Sequence, residues 1–207
     1  MIPIRDSVPS VTRPWVNYAL IAANVAAFLY ELSLGPALDP FIRQQALVPA
    51  RELGRLAAGA PPWTAALPAL VSMFLHGGWL HLLGNMLYLW IFGDNVEDAL
   101  GHGPYFIFYF ACGLAAAVGH VIFNAGSVVP TVGASGAIAG VLGAYLVMFP
   151  RSKVLTLVPI FFFVTFVEIP APFFLLFWFA MQFLSGTFEI THATSRAVSG
   201  AGASHSP

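Results

Sequence analysis

The chain has 207 residues, of which 58% are apolar and only 8% charged, against about 25% charged in an ordinary soluble domain. That balance excludes a water-soluble globule, and it sets 16 prolines and 19 glycines inside long Leu, Phe, Val and Ala runs, as membrane helices allow. A formal net charge of -1 leaves no basic stripe for phosphates, which argues against nucleic acid, and the single Cys112 permits neither an intramolecular disulfide nor a thiolate metal cluster.

A bilayer span needs about 20 mostly apolar residues. After an N-terminal segment, 1–13, residues 15–34 meet that need. They read as a retained anchor rather than a signal peptide, because the run is long for an h-region and further runs follow. The more polar stretch 35–62 mixes Asp39, Arg43, Arg51, Glu52 and Arg55 with apolar residues, a composition suited to an interfacial segment. Residues 63–93 hold no Asp, Glu, Lys or Arg, yet 31 residues exceed one untilted helix. The break falls at His76-Gly77-Gly78, which predicts a span over 79–96 and an acidic loop over 94–98. A third span covers 105–123, and a fourth covers 134–149 between Pro130 and Pro150.

In 154–184, Pro159, Glu168, Pro170 and Pro172 interrupt a mostly apolar run. The reading is an irregular or interfacial lead over 154–167 and a fifth span over 171–184, with Glu168 at the interface or at the helix start. Phe161, Phe162, Phe163 and Trp178 face lipid or pack in the core. From 187 to 207 the composition turns to Thr, Ser, Ala, Gly and His, which predicts a disordered tail. Arg5, Arg13, Arg151 and Lys153 against Arg43, Arg51 and Arg55 favour a cytoplasmic N-terminus. The fold class is therefore an all-α, polytopic membrane helix bundle with about five spans.

Polar groups inside a bilayer are costly and mark function by default. His81 and Asn85, four apart on the second span, project from one face, and two converging donors in a dry place suit a developing oxyanion; interhelical hydrogen bonding is the plainer alternative. Gly133-Ala134-Ser135-Gly136 opens the fourth span. At 1.5 Å per residue its sixteen residues reach about 24 Å, some 6 Å short of an average hydrocarbon core. Ser135 then lies below the membrane surface at a helix N-terminus whose unpaired amides favour negative charge. Irregular backbone at that depth implies a hydrated cavity above it. Gly136, Gly140 and Gly143 form a smooth stripe for a packing helix. His120 reads as a satisfied polar residue rather than a base. There is no metal case: no His-Glu-x-x-His occurs, and His76 and His81 are not a ligand pair.

The run Met-Phe-Leu-His-Gly-Gly-Trp-Leu-His-Leu-Leu-Gly-Asn-Met over 73–86, followed by Gly133-Ala134-Ser135-Gly136 and the glycine stripe, resembles the rhomboid family of intramembrane serine proteases across residues 14–186. The resemblance implies a six-helix bundle that cuts transmembrane segments of other membrane proteins, without a cofactor. It makes Ser135 the nucleophile and His81 and Asn85 the oxyanion-stabilising residues, with His76, Gly133 and Gly136 as supporting motif positions. It also implies a base histidine on a sixth span, packed on the glycine stripe. No such pattern follows Gly186, and His192 and His205 lie in polar surroundings, so the general-base histidine reads as absent and the chain as C-terminally truncated. A serine hydroxyl is weak without a base, and losing the base costs on the order of 10⁶ in turnover, leaving about 10³ to 10⁴ over water. The expectation is an impaired protease of a bacterial inner membrane. A non-catalytic relative that binds membrane proteins is the alternative, ahead of a channel or transporter, for which neither an inverted repeat nor a ring of charges is seen.

Overall fold

The computed structural model describes residues 1–160 and 163–181. Its elements run β1 (Ile2–Asp6), α1 (Trp15–Ser33), a 3-10 turn (Gly35–Ala37), α2 (Leu38–Gln45), α3 (Pro49–Ala57), α4 (Trp63–Ser72), α5 (Trp79–Leu100), α6 (His102–Phe123), α7 (Ser135–Met148), β2 (Lys153–Ile160), β3 (Phe163–Pro170) and α8 (Ala171–Met181). The helices α1 and α6 are long and apolar enough to cross a bilayer, while α4, α7 and α8 are shorter apolar helices. Large apolar side chains such as Leu80, Ile107, Ile122, Phe123 and Val147 stand exposed on the outer surface, as a lipid-facing bundle requires.

Buried residues of α1 recur at Asn17, Leu20, Asn24, Phe28 and Glu31, one helical stripe at spacings of three and four. Three of the five are polar, so the costly groups face protein rather than lipid. Asn17 joins three helices. Its Nδ2 donates to the Leu89 carbonyl of α5 at 2.9 Å, and its Oδ1 accepts from the Tyr105 hydroxyl of α6 at 2.9 Å. Gly93 makes room for this junction, since a Cβ there would meet the Asn17 side chain and lie 2.8 Å from the Tyr105 hydroxyl.

The acidic loop expected over 94–98 is instead the last turns of α5, which continues to Leu100. The acids are helical because each has a partner. Asp94 accepts from Ser10 Oγ at 2.6 Å, and Asp98 accepts from the backbone amides of Val11 and Thr12 at 3.0 and 2.9 Å. Buried Glu97 accepts from the amides of Val16 and Asn17 at 3.0 and 2.7 Å, and His102 Nδ1 lies 2.5 Å from its carboxylate. Pro14 gives α1 no side-chain cap, so Glu97 serves its orphan N–H groups from another helix.

The irregular lead expected over 154–167 is a β-hairpin, and the N-terminal segment completes it. β1 pairs antiparallel with β2, and β2 with β3, giving the order β1-β2-β3. Val, Ile, Thr and Phe favour strands. β1 covers β2 only from Val154 to Leu157, so Pro159, which has no N–H to give, falls where that flank is open. Glu168 lies in β3 rather than at a helix start and pairs with Lys153 at 3.1 Å, an exposed contact of little energetic weight. The sheet is tied to the bundle where the Tyr145 hydroxyl donates to Asp6 at 2.6 Å and Asn95 Nδ2 donates to the Val8 carbonyl at 2.9 Å. Burial raises the Asp6 pKa, an effect the Tyr145 hydrogen bond opposes.

The glycine stripe on α7 has a partner among the described helices. A Cβ on Gly136 would lie 2.6 Å from Ala116 Cβ, and one on Gly140 would lie 2.5 Å from Cys112 Cβ, so α6 already occupies that face. Gly143 meets nothing within 4 Å among the described residues. Trp178 packs in the core at 8% exposure, and Phe163 is exposed. The expectations for Phe161, Phe162, the end of the fifth span, the tail over 187–207, the sixth span and its base histidine, and His192 and His205 all lie outside the described residues.

Candidate active site

Ser135 is the first residue of α7. Ala134 before it supplies no side-chain cap, so the amides of the first turn retain the donor capacity and positive end of the helix dipole that suit an anion. The segment leading into α7 is pinned by two faces of Ser72 on α4: the Gly133 amide donates to the Ser72 carbonyl at 2.8 Å, and the Ser72 hydroxyl accepts from the Leu47 amide at 2.7 Å. Leu47 in turn accepts from the Thr131 amide at 2.8 Å. Neither Ser72 nor Leu47 carries any sequence signal of this role, because a lone Ser in an apolar run and a lone Leu in an interfacial stretch are both ordinary.

Gly133 is a point of close approach between the two halves of the site. Its φ is +121°, and a Cβ there would lie 2.6 Å from His81 Nε2, 2.7 Å from His81 Cε1 and 3.7 Å from Asn85 Nδ2. The imidazole of His81 and the amide of Asn85 therefore lie against the backbone two residues ahead of Ser135. A cavity of about 170 Å³ opens beside the serine, lined by Ser135, Gly133 and Gly136 together with Ser72 of α4, His120 of α6 and Thr131. His120, expected to be a satisfied polar residue, thus shares this cavity with Ser135, and its carbonyl accepts from Asn124 Nδ2 at 3.0 Å. No group of three or more His, Cys, Asp or Glu that could hold a metal occurs among the described residues.

His76 is 2% exposed in the loop before α5. Its Nδ1 sits 3.1 Å from the Phe74 carbonyl and its Nε2 3.0 Å from Asn85 Nδ2. A carbonyl can only accept, so Nδ1 carries the proton and Nε2 accepts from the Asn85 amide. Burial, with help from the neighbouring His81, pulls the His76 pKa down from 6.5 to about 4. The folded chain thus holds this ring neutral where the unfolded chain protonates it, and stability falls as pH drops from about 6.5 towards about 4. The apparent melting temperature in micelles should fall across that window, and His76→Asn should flatten the dependence; an equally steep decline in the variant would refute this assignment.

A Rhomboid domain model matches residues 63–202, more than half of the chain, and the chain belongs to the rhomboid family. It is thereby an integral membrane protein with a polytopic helical bundle. It is 32% identical over 146 residues to Rhomboid protein 1, mitochondrial, of Saccharomyces cerevisiae, covering 68% of this chain and 38% of that protein. It is 35% identical over 137 residues to Rhomboid protease GluP of Bacillus subtilis, covering 65% of this chain and 24% of that protein. Presenilin-associated rhomboid-like protein A, mitochondrial, of Danio rerio is 31% identical over 100 residues, 47% of this chain and 26% of that protein. The chain therefore spans well under half the length of these relatives.

Proposed function

We propose that the chain is an intramembrane serine endopeptidase of the rhomboid type, acting on transmembrane segments of other membrane proteins in the bilayer and impaired to the extent that its base histidine is missing. The observation that carries this reading is the position of Ser135. It stands at an uncapped helix N-terminus, beside a cavity, two residues from a glycine that His81 and Asn85 approach closely. In the reaction, Ser135 Oγ bonds to the scissile carbonyl carbon as its proton passes to the base histidine that the rhomboid resemblance implies on a sixth span, and the carbonyl electron pair moves to oxygen. First-turn amides of α7 with His81 and Asn85 hold that oxyanion. Collapse expels the amine, and water then releases the acyl group from Ser135.

GluP, a protease by name, supports the reaction class, and its bacterial source supports a bacterial cell membrane; the mitochondrial relatives make an organelle membrane the competing location, which fractionation decides. A fluorophosphonate should label the purified full chain in bilayers, and Ser135→Ala should abolish labelling together with cleavage of a transmembrane substrate. If Ser135→Ala leaves the fate of a bound membrane protein unchanged, the chain is a non-catalytic binding protein and the protease reading fails.

A further inference from the structure

We infer that Glu31 is a positioning residue of this site, acting from α1 through His76 on Asn85; the inference rests on the oxyanion role proposed for Asn85. Glu31 lies in the last turn of α1, is 1% exposed and has no cationic partner among the described residues. A carboxyl inside a membrane bundle is costly and persists where it has something to hold. What it holds is the backbone amide of His76, which lies 3.1 and 3.3 Å from its two oxygens. One turn earlier, Phe28 meets the same loop edge-on, 5.0 Å from the Trp79 ring and 6.5 Å from the His76 ring.

The consequence passes along the His76 ring. With Nδ1–H given to Phe74, Nε2 can only accept, and it takes one N–H of the Asn85 amide. That contact sets which way the amide faces, since the opposite orientation would bring the Asn85 oxygen against the Nε2 lone pair. Asn85 Nδ2 lies 3.7 Å from where a Cβ on Gly133 would stand, and its second N–H remains for the oxyanion role. Without Glu31 the His76 amide loses its acceptor, the loop is free to shift, and the Asn85 donor loses its fixed direction. A displacement of about 1 Å in such a donor costs on the order of 10²-fold in rate.

The test is a cycle of fluorophosphonate labelling rates in the full chain in bilayers. Glu31→Ala should slow labelling of Ser135 by about 10 to 100-fold, while Glu31→Gln, whose amide oxygen still accepts from the His76 N–H, should remain within about threefold of the unmodified chain. In an Asn85→Ala background, Glu31→Ala should add less than about twofold, because the two substitutions remove one effect. Additive losses, a Gln variant as slow as the Ala variant at equal melting temperature, or labelling of Glu31→Ala at the unmodified rate would each overturn the inference. The nitrogen NMR spectrum separates this result from the fate of the protease reading. A chain that never labels sinks that reading, and the Asn85 side-chain amide signal still decides here: it should shift in Glu31→Ala and hold in Glu31→Gln, and an unshifted signal in Glu31→Ala overturns the inference.

Discussion

Replacing Gly140 by Leu is expected to cost the bundle about 3 kcal/mol, the upper end for overpacking a well-filled core, and thus roughly 6 to 12 °C in melting temperature for a chain of this size. The reason is the closeness of α6 and α7. A Cβ on Gly140 would already press on the Sγ of Cys112 and come 2.5 Å from its Cβ, so three further carbons have no room without separating the helices. The same interface continues at Gly136 against Ala116, and at Gly113, where Met73 and, at 3.3 Å, Ala137 Cβ occupy the space. In lipid, where apolar surface gains nothing from leaving one neighbour for another, close contact of this kind is what holds helices together. Gly143, with nothing within 4 Å among the described residues, supplies the internal control: Gly143→Leu should melt within about 1 kcal/mol of the unmodified chain. Equal melting temperatures for the two variants in micelles would show that α6 does not pack on Gly140.

The interface also marks what could be read from the residues alone. The stripe at Gly136, Gly140 and Gly143 announces a packing partner, but glycine spacing is silent on which helix arrives, and α6 takes two of the three positions. The break at His76-Gly77-Gly78 is legible because glycines punctuate a run too long for one helix; α5 begins at Trp79. The hairpin of β2 and β3 is not legible, since Val, Leu and Phe on both faces carry no alternation to distinguish a strand from an apolar helix. Asp94 and Asp98 look like loop residues until Ser10, Val11 and Thr12 arrive from more than 80 positions away. Glu31 looks like the polar end of a span, and its attachment to His76 crosses 45 positions. The spacing of His81 and Asn85 places them on one helix face, whereas their approach to Gly133 depends on Ser72 and Leu47 holding the segment ahead of α7.

That segment yields the largest expected effect on chemistry. Gly133→Ala should reduce fluorophosphonate labelling of Ser135 by at least about 10²-fold, the scale set by losing an oxyanion donor or displacing a reacting group by about 1 Å. Two causes act together. At φ +121° the backbone adopts a conformation that L side chains rarely enter, so any Cβ strains it. The new methyl would also lie 2.6 Å from His81 Nε2 and 2.7 Å from Cε1, inside the contact distance of ring and carbon. Either the imidazole swings away from the site or residues 131–134 lift, and lifting breaks the 2.8 Å bond from the Gly133 amide to Ser72 and carries Ser135 with it. Both outcomes separate the nucleophile from the donors. Gly126 lies in the same connection, with nothing among the described residues within 4 Å of a Cβ, so Gly126→Ala should label at the unmodified rate. Labelling of Gly133→Ala at that rate too would mean that neither the His81 contact nor the backbone of this loop positions Ser135.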